Sequence, residues 1–543
     1  MKLMANIRIA VTTSLQVMRI LSGSLLLVTP AMSQTPKPAD AIDTLFASVA
    51  ESPGCVVGVE DGDRSHLVRA YGWADLERRV KIAPETIFEA GSVSKQFTAA
   101  AILLLVQDGR IALTDDIRKY LPELPAYGRP ITIDHLLTHS SGLRDWGDVA
   151  EMAGWPRGDR VYSSAEALRI AGLQRELNHQ PGGDWSYTNT GYTLLTIVLQ
   201  RVSGQSMQAF SQQRIFGPLG MKDTQWRDDF RRVVVRRAVA YRSLGASYEL
   251  QMPAENAIGH GGLLTTIGDL LIWDRALASG ALGRQVTDAL QRPAKLNDGR
   301  TLAYARGLMV SRFHGYKEVA HSGATAGYRA WLARYPDTGL SVALLCNNGD
   351  DGVVTLGRAI AALYLPEKSS EPVASPQPPI ELAGWYRNLA NAEPLHLSIK
   401  NDVLRGDGGE TLERMPDGSL RFNGEPAKVG AGGRLTVLGL GGQFVTFIRA
   451  PMQWFPGKIL AAAKGHFHSN EASATVEIAA VDGKLRVTAQ DRPGLAVDFA
   501  PAYENAFVNR RRVIRLLVDK AGRVTGLIMS ADRVWRLPFR RVP

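Results

Sequence analysis

A proline-rich segment, Glu367–Pro379, divides the 543-residue chain into two parts with different secondary-structure patterns. The segment carries Pro372, Pro376, Pro378 and Pro379 among serine and glutamate residues and lacks an apolar period, which is typical of a linker. Before it, apolar runs of helical length alternate with strand-like runs, whereas the sequence after it shows short alternating runs. A chain of this length exceeds one compact domain, so we expect a separate fold on each side of the linker.

The first part, residues 38–366, predicts one α+β domain. Strand-like runs occur near both of its ends, and apolar stretches of helical length lie between them. We expect the strands from the two ends to pair in one sheet that packs against the helices. The predicted strands are Cys55–Val59, Ser65–Tyr71, Glu318–Ser322, Tyr328–Tyr335 and Leu340–Cys346. The predicted helices run from Ser92 to about Asp108, from an N-cap at Thr132, over Tyr192–Val202, and over Asp269–Ala278 with Gly280 after it.

The second part predicts an all-β structure of one or two small barrel-like domains. Short alternating runs recur there with turn dipeptides at Asp417-Gly418, Asp482-Gly483 and Ala521-Gly522. A break near Pro451–Pro456 favours two units, which we place at residues 380–450 and 455–543.

The first 33 residues resemble an export signal. Lys2, Arg8 and Arg19 form a basic leader, the apolar run Ile20–Val28 follows, and Ala31–Ser33 supplies small residues for cleavage. The apolar run is too short to span a bilayer. We therefore predict an exported protein, periplasmic or extracellular, with no membrane-spanning segment once the signal is removed.

The net charge of +10 raises the question of a nucleic-acid or membrane partner. Basic residues cluster at Arg510–Arg512 and Arg540–Arg541, where they alternate with apolar residues such as Val513 and Leu516. That alternation is typical of the solvent-facing side of strands, and no recognition motif accompanies the charge. We therefore predict no nucleic-acid partner.

The two cysteines, Cys55 and Cys346, each lie in an apolar, strand-like run. Two cysteines in a chain of this size form neither a disulfide framework nor a metal cluster. We expect buried, unreactive thiols and no metal site. A disulfide in an oxidising compartment would require the two strands to be neighbours.

Ser92 and Lys95 are the first candidate catalytic residues. They stand three residues apart where a glycine-containing turn enters an apolar helix, so the hydroxyl and the amine can meet on one face. Serine is a weak nucleophile until a base takes its proton, and burial can lower the pKa of lysine enough for that role. The helix N-terminus offers backbone N–H groups to an oxyanion. The alternative is an N-cap serine followed by a solvated lysine.

Two further segments carry candidate residues. Tyr187 and Asn189 are two residues apart in a stretch that we expect to be extended, so both side chains should point the same way. The phenol can act as a general acid or base, and the amide can hold a substrate carbonyl. His321 precedes Gly323 on a late strand, where the imidazole can donate a hydrogen bond or relay a proton and the glycine admits a substrate backbone. The alternatives are a structural tyrosine in a turn and a surface histidine on an edge strand.

In this order and spacing the motifs resemble the serine penicillin-recognising superfamily, which contains class C β-lactamases, low-molecular-weight penicillin-binding proteins, D-aminopeptidases and related esterases. The matching motifs are Ser92-Val-Ser-Lys95, Tyr187-Thr-Asn189 and His321-Ser-Gly323, and the stretches Leu136–Gly142 and Gly261–Thr266 also look like this family. The resemblance covers residues 40 to 365. It implies a β-lactamase/transpeptidase-like domain, and the all-β tail looks like the two C-terminal barrels of D-aminopeptidases.

The resemblance also implies roles for individual residues. Ser92 would be acylated, and Lys95 and Tyr187 would share the proton transfers, with the choice of base left open. Asn189 would position the substrate, and the backbone N–H groups of Ser92 and Ala324 would form the oxyanion hole. No metal or organic cofactor is implied.

One departure from the family pattern bears on the substrate. Lactamases and carboxypeptidases of the family carry Lys-Thr-Gly on the late strand, whereas this chain has His321-Ser322-Gly323. A lysine binds a substrate carboxylate by charge, but histidine is largely neutral near pH 7. The substitution argues against penicillin hydrolysis and resembles the pattern in D-aminopeptidases and some esterases.

The sequence therefore predicts an exported serine hydrolase that cleaves an amide or ester through a Ser92 acyl-enzyme, with a small-peptide or D-amino-acid peptidase or amidase as the first hypothesis. A carboxylesterase and a β-lactamase of the same family are alternatives. A non-catalytic penicillin-binding-like sensor is a third hypothesis, and a binding module whose β units grip a partner is a fourth.

Overall fold

The computed structural model describes residues 38–62, 66–366, 368, 378–450 and 457–543. The predicted export signal, nearly all of the predicted linker and the predicted break at Pro451–Pro456 lie outside the described residues. Within the described ranges, no helix combines the length and the apolar character needed to cross a bilayer.

The first part of the chain is an α+β domain, as predicted. Its strands are β1 Cys55–Asp61, β2 His66–Tyr71, β3 Trp73–Asp75, β4 Val80–Lys81, β5 Phe88–Glu89, β6 Gln225–Trp226, β7 Tyr241–Ser243, β8 Tyr248–Leu250, β9 Leu263–Thr265, β10 Met309–Phe313, β11 Tyr316–Thr325, β12 Tyr328–Tyr335 and β13 Leu340–Cys346. The α-helices of the described residues are α1 Pro38–Leu45, α2 Ser94–Gln107, α3 Ile133–Leu137, α4 Trp146–Met152, α5 Ser164–Leu173, α6 Asn189–Ser203, α7 Met207–Ser211, α8 Gly217–Leu219, α9 Ile267–Ser279, α10 Arg284–Gln291, α11 Val353–Ala362 and α12 Gly457–Ala463.

The main sheet joins the two ends of this domain. Its strand order is β10-β11-β12-β13-β1-β2, and every neighbouring pair is antiparallel. Alternate residues of β13 belong to different apolar clusters: Ala343 and Leu345 share one with α9, whereas Val342 and Leu344 share the other with α11. Because both faces of β13 are covered by helices, the strand is apolar at every position except Ser341.

Local sequence signals set several helix ends. The side chain of Thr132 accepts a hydrogen bond from His135 N and caps α3, as predicted. Gly280 adopts a left-handed conformation (φ 76°) and ends α9, also as predicted.

The two cysteines form a disulfide, so the expectation of free thiols is wrong. Cys55 of β1 and Cys346 of β13 are directly opposite each other in the antiparallel ladder, with 4.1 Å between their Cα atoms. Their strands come from opposite ends of the domain, so only the pairing of β1 with β13 brings the sulfurs together.

We expect the Cys55→Ala/Cys346→Ala double variant to lower the free energy of unfolding by roughly 2–5 kcal/mol, because the cross-link closes a long loop. The two cysteines are 291 residues apart in the sequence. Urea unfolding of the wild type with and without reductant, compared with the double variant, measures this loss. Coincident unfolding midpoints in all three samples would contradict the prediction.

The second part of the chain forms two closed, eight-stranded antiparallel barrels, in agreement with the predicted all-β tail. The strands of the first barrel are β14 Gly384–Asn388, β15 Pro394–Lys400, β16 Val403–Gly406, β17 Thr411–Arg414, β18 Leu420–Phe422, β19 Glu425–Gly430, β20 Arg434–Leu438 and β21 Phe444–Arg449. The strands of the second barrel are β22 Gly465–Ser469, β23 Ala474–Val481, β24 Lys484–Ala489, β25 Ala496–Pro501, β26 Ala506–Asn509, β27 Arg512–Val518, β28 Val524–Ala531 and β29 Val534–Val542.

Both barrels pack on the α+β domain. The second barrel shares one apolar cluster with α4 and α5, to which α4 contributes Trp146 and Val149. The first barrel places Gly441 against the ring of Trp185, where a Cβ on that glycine would lie 2.3 Å from the indole. The carbonyl oxygen of Gly441 accepts a hydrogen bond from Ala303 N at 2.7 Å.

Candidate active site

Ser92 lies in a 3-10 turn, Gly91–Val93, that leads directly into α2. Gly91 has a φ of 51°, and a Cβ there would lie 2.6 Å from Ala324 N. A Cβ on Gly323 would lie 2.0 Å from Ala90 O. Glycine at these two positions therefore lets β11 run directly beside the serine turn.

The part of β11 beside Ser92 has an open edge. β10 pairs only with residues 316–320 of β11, so His321 to Thr325 pair with β12 alone in the main sheet. The turn that carries Ser92 lies against this edge. The arrangement brings a strand edge directly beside a helix N-terminus, where backbone N–H groups are available.

Lys95 is fully buried and bonds to three oxygen atoms. Its Nζ lies 3.1 Å from Ser92 Oγ, 3.0 Å from Asn189 Oδ1 and 2.7 Å from the carbonyl oxygen of His260. The two carbonyl oxygens can only accept hydrogen bonds, whereas the hydroxyl can donate or accept. A neutral amine would thus give its two N–H groups to Asn189 and His260 and direct its lone pair at Ser92.

The electrostatic surroundings favour the neutral form of Lys95. Burial lowers its pKa well below the usual 10.5, and the nearby cations Arg533 and Arg157 lower it further. The carboxylates of Asp145 and Glu255 oppose this shift.

Tyr187 precedes α6 and lies beside both catalytic candidates. Its ring centroid is 4.7 Å from Lys95 Nζ. Burial raises its pKa to about 12, although a hydrogen bond with Ser92 favours the phenolate. The phenol is therefore protonated at neutral pH and can donate a proton to an atom bound near Ser92.

Asn189 is the first residue of α6, which corrects the expectation of an extended segment through Tyr187 and Asn189. Thr188, with extended dihedral angles, is the N-cap, and it separates the loop from the helix. The Asn189 N–H donates to Asp145 Oδ2 at 2.6 Å. Its amide oxygen is bound to Lys95, so the two side chains still converge, but by a loop-to-helix transition.

His321 is buried in the site, and both of its ring nitrogens are hydrogen-bonded within the protein. Nδ1 donates to Ser322 O at 2.6 Å, and Nε2 accepts from the Tyr304 hydroxyl at 3.2 Å. The same hydroxyl accepts from His139 Nε2 at 3.1 Å, since His139 Nδ1 is bound to Thr188 N–H. Burial, with Lys95 nearby, lowers the pKa of His321 to about 4, so the ring is neutral.

A second buried network supports the lysine. Glu255 accepts from Arg157 Nε at 2.7 Å and lies 3.0 Å from His260 Nε2. His260 Nδ1 is 2.9 Å from the hydroxyl of Thr193 on α6. These contacts hold His260 in place, and the carbonyl oxygen of His260 accepts a hydrogen bond from Lys95.

A hairpin of the second barrel brings Arg533 next to Tyr187 in the candidate active site. Asp532 and Arg533 form the turn between β28 and β29, and the Arg533 carbonyl accepts from Asp145 N at 3.1 Å and Asn178 Nδ2 at 3.0 Å. Its guanidinium carbon is 5.0 Å from the Tyr187 ring centroid. Asp145 connects this turn to Asn189 and hence to Lys95.

The structure brings together all the residues singled out in the sequence: Ser92, Lys95, Tyr187, Asn189, His321, Gly323 and Ala324. The sequence reasoning missed Tyr304, His260 and Arg533. His139 stood within the family-like stretch Leu136–Gly142 without being identified, and its ring lies 4.2 Å from that of Tyr187. Arg533 carried no sequence signal, because its role depends on barrel docking.

A serine at a helix N-terminus with a buried lysine in contact defines the class of serine hydrolases that use a Ser-Lys pair. A family model described as Beta-lactamase matches residues 42–365. The chain therefore belongs to that family, which confirms the predicted superfamily.

The relatives extend the likeness beyond the first domain. D-aminopeptidase from Gluconobacter oxydans (strain 621H) is 29% identical over 469 residues, covering 81% of this chain and 84% of that protein. Penicillin-binding protein 4* from Bacillus subtilis (strain 168) is 28% identical over 341 residues, covering 57% of this chain and 72% of that protein. The structure of the octameric penicillin-binding protein homologue from Pyrococcus abyssi shares the fold, with a TM-score of 0.54, 21% identity, and coverage of 84% of this chain and 98% of that one.

Proposed function

We propose that this protein is an exported serine peptidase or amidase that cleaves small peptides with D-configured residues through an acyl-enzyme on Ser92. The contact of 3.1 Å between Lys95 Nζ and Ser92 Oγ carries the proposal, because it pairs a nucleophile with a buried base. The D-configuration is taken from the relatives named D-aminopeptidase.

In the acylation step, Ser92 Oγ attacks the substrate carbonyl carbon while its proton passes to the neutral Lys95 amine. The carbonyl oxygen becomes an oxyanion, which the backbone N–H groups of Ser92 and Ala324 stabilise. Each such donor contributes about 3–4 kcal/mol in comparable sites. The close approach of the serine turn to Gly323 and Ala324 of β11 supports this pair of donors.

The C–N bond then breaks, and the departing amine takes a proton from the Tyr187 hydroxyl, which recovers one from Lys95. A phenol with a pKa of about 12 is protonated before this step and suits the role of proton donor. In deacylation, a water molecule attacks the carbonyl carbon of the Ser92 ester, and a proton of this water passes to Lys95. Ser92 Oγ then leaves and takes up a proton.

Two observations support export. The first 33 residues have the charge and apolar pattern of a signal. The Cys55–Cys346 disulfide is a bond that persists in oxidising compartments.

The proposal is tested with a fluorophosphonate probe and a panel of D-amino-acid amides, their L-enantiomers and short nitrophenyl esters. We expect a probe adduct on Ser92 and turnover of D-amides above L-amides, with Ser92→Ala as the blank. Rapid turnover of esters alone would replace the peptidase proposal by a carboxylesterase. Absence of labelling would favour a sensor.

The lowered pKa of Lys95 predicts how the rate of Ser92 labelling depends on pH. Because only the neutral amine accepts a proton, the rate rises with pH through the pKa of Lys95, which lies well below 10.5. The rate of Ser92 labelling should therefore reach its plateau well below pH 10.5. A labelling rate that keeps rising up to pH 10 would show that Lys95 is protonated in the resting enzyme.

A further inference from the structure

A cavity of about 150 Å³ lies where the second barrel packs on α4. The α+β domain contributes Glu151 and Met152 of α4 to its lining, and the barrel contributes apolar residues from several strands, among them Val487, Phe499 and Met529. Because the walls come from two domains, the cavity has this form only while the barrel is docked.

The lining of the cavity is apolar apart from three side chains, those of Glu151, Arg512 and Ser530. Each of these is already hydrogen-bonded. Glu151 Oε1 accepts from Arg512 NH1 at 2.8 Å, and Ser530 Oγ accepts from Arg536 N at 3.1 Å. A buried water molecule needs several polar partners, whereas an apolar molecule needs none. The cavity therefore favours an apolar occupant over water.

The mouth of the cavity is marked by the lining residues that reach solvent. The side chains of Glu151 and Arg512 are 43% and 28% exposed, and Leu495 lies exposed beside them in the lining. The two charged groups pair with each other, so neither is left to balance the charge of a ligand. An ion that entered would lose its hydration against an apolar wall, and the ligand is therefore neutral.

The two walls of the cavity are fixed to each other at its edge. Besides the pair of Glu151 with Arg512, Arg492 of the barrel donates to Asp159 Oδ2 at 2.6 Å. The turn after α4 also touches the barrel, because a Cβ on Gly154 would lie 2.3 Å from the Cβ of Ala489. A site held in this way is formed before a ligand arrives, so binding costs little ordering of the protein.

We propose that the joint between α4 and the second barrel is an accessory binding site for a neutral, apolar molecule about the size of a benzene ring. Apolar protein cavities of this volume bind benzene, and eight-stranded barrels are wide enough to hold one small ligand. The occupant touches both domains, so its binding stabilises the docked position of the barrel.

The site is separate from the serine site and does not depend on the proposed peptidase function. Glu151 and Met152 lie at the C-terminal end of α4, whereas its N-cap, Asp145, accepts from Asn189 N at the serine site. With seven residues, α4 separates these two ends by about 10 Å.

The test is fluorine NMR of fluorobenzene with the intact protein, compared with 4-fluorobenzoate, which adds a carboxylate to the same ring. We expect fluorobenzene to bind with a Kd on the order of 1 mM or lower. The carboxylate should weaken binding at least about tenfold, because its charge finds no partner in the cavity. Fluorobenzene should also raise the melting temperature of the wild type.

Val487→Phe fills the cavity and should weaken fluorobenzene binding at least about tenfold while removing the rise in melting temperature. Val429→Phe is the matched control, since Val429 lies 41% exposed on the first barrel, and it should bind as the wild type does. Met152→Ala enlarges the cavity and should shift the preference from fluorobenzene toward the larger 1-fluoronaphthalene.

Three results would each overturn the proposal: no binding of fluorobenzene to the wild type, equal binding of 4-fluorobenzoate, or unchanged affinity in a folded Val487→Phe. If Val487→Phe does not fold, Met152→Ala decides, and an unchanged preference between the two rings would count against the site. Because every readout is binding or unfolding, failure of the serine chemistry would leave these results unaffected.

Discussion

Replacing Lys95 with methionine is expected to lower kcat about 10²- to 10⁴-fold, the usual contribution of a general base. Methionine has a similar length and can occupy the fully buried position, so the change removes the proton acceptor with little loss of volume. The carbonyl oxygens of Asn189 and His260 lose a shared donor, which adds a moderate cost in stability. The measurement is the turnover number on the best amide of the panel, together with the rate of Ser92 labelling.

Lys119→Met is the control for this variant, because Lys119 is 61% exposed and pairs with Asp115 on the surface. It should leave both rates unchanged. If Lys95→Met keeps its turnover within tenfold of the wild type, another group takes the proton from Ser92. Tyr187 would then be the base despite its high pKa.

Replacing Arg144 with methionine is expected to destabilise the docking of the second barrel by about 3–5 kcal/mol, the cost of breaking a buried ion pair. The Arg144 side chain has no exposed surface, and its NH1 lies 2.6 Å from Glu471 Oε2 of the barrel. It also donates to the carbonyl oxygens of Trp535 and Arg536, which follow the Arg533 turn. Losing it leaves a buried carboxylate without its cation and removes three contacts across the interface.

Limited proteolysis and thermal unfolding measure the effect, and we expect earlier cleavage of the barrel together with a lower transition temperature. The Arg144→Met/Glu471→Leu double variant should recover part of the loss, because no unpaired charge then stays buried. Arg523→Met changes an exposed arginine of the same barrel and should stay within about 0.5 kcal/mol of the wild type. Equal stability of Arg144→Met and Arg523→Met would show that the interface does not depend on this pair.

The strands Tyr328–Tyr335 and Leu340–Cys346 have the bounds that the sequence predicted. Each is rich in apolar residues and is bounded by the turn residues Pro336–Gly339, and a strand covered on both faces leaves that signal in the chain itself. The segment from Tyr187 to Asn189 was harder to predict. The Thr188 side chain bonds to the N–H of Thr190, and this N-cap starts α6 three residues earlier than the apolar pattern suggests.

The serine-lysine pair could be predicted from the sequence, because the contact depends on residues three apart at one helix start. The partners of His321 could not be predicted in this way. Tyr304 and His139 come from separate loops, and they reach the imidazole only when the sheet and helices pack. The pKa of His321 therefore depends on burial that no local pattern records.

The α+β domain, the all-β tail, and the nucleophile with its adjacent amine could be predicted from residue order, since each follows from local periodicity or short spacing. The pairing of Cys55 with Cys346 and the position of Arg533 over Tyr187 became visible in the folded chain alone. Both contacts join segments far apart in the chain. Each contact forms because of the way the strands pair or the barrel packs, and neither can be predicted from local spacing in the sequence.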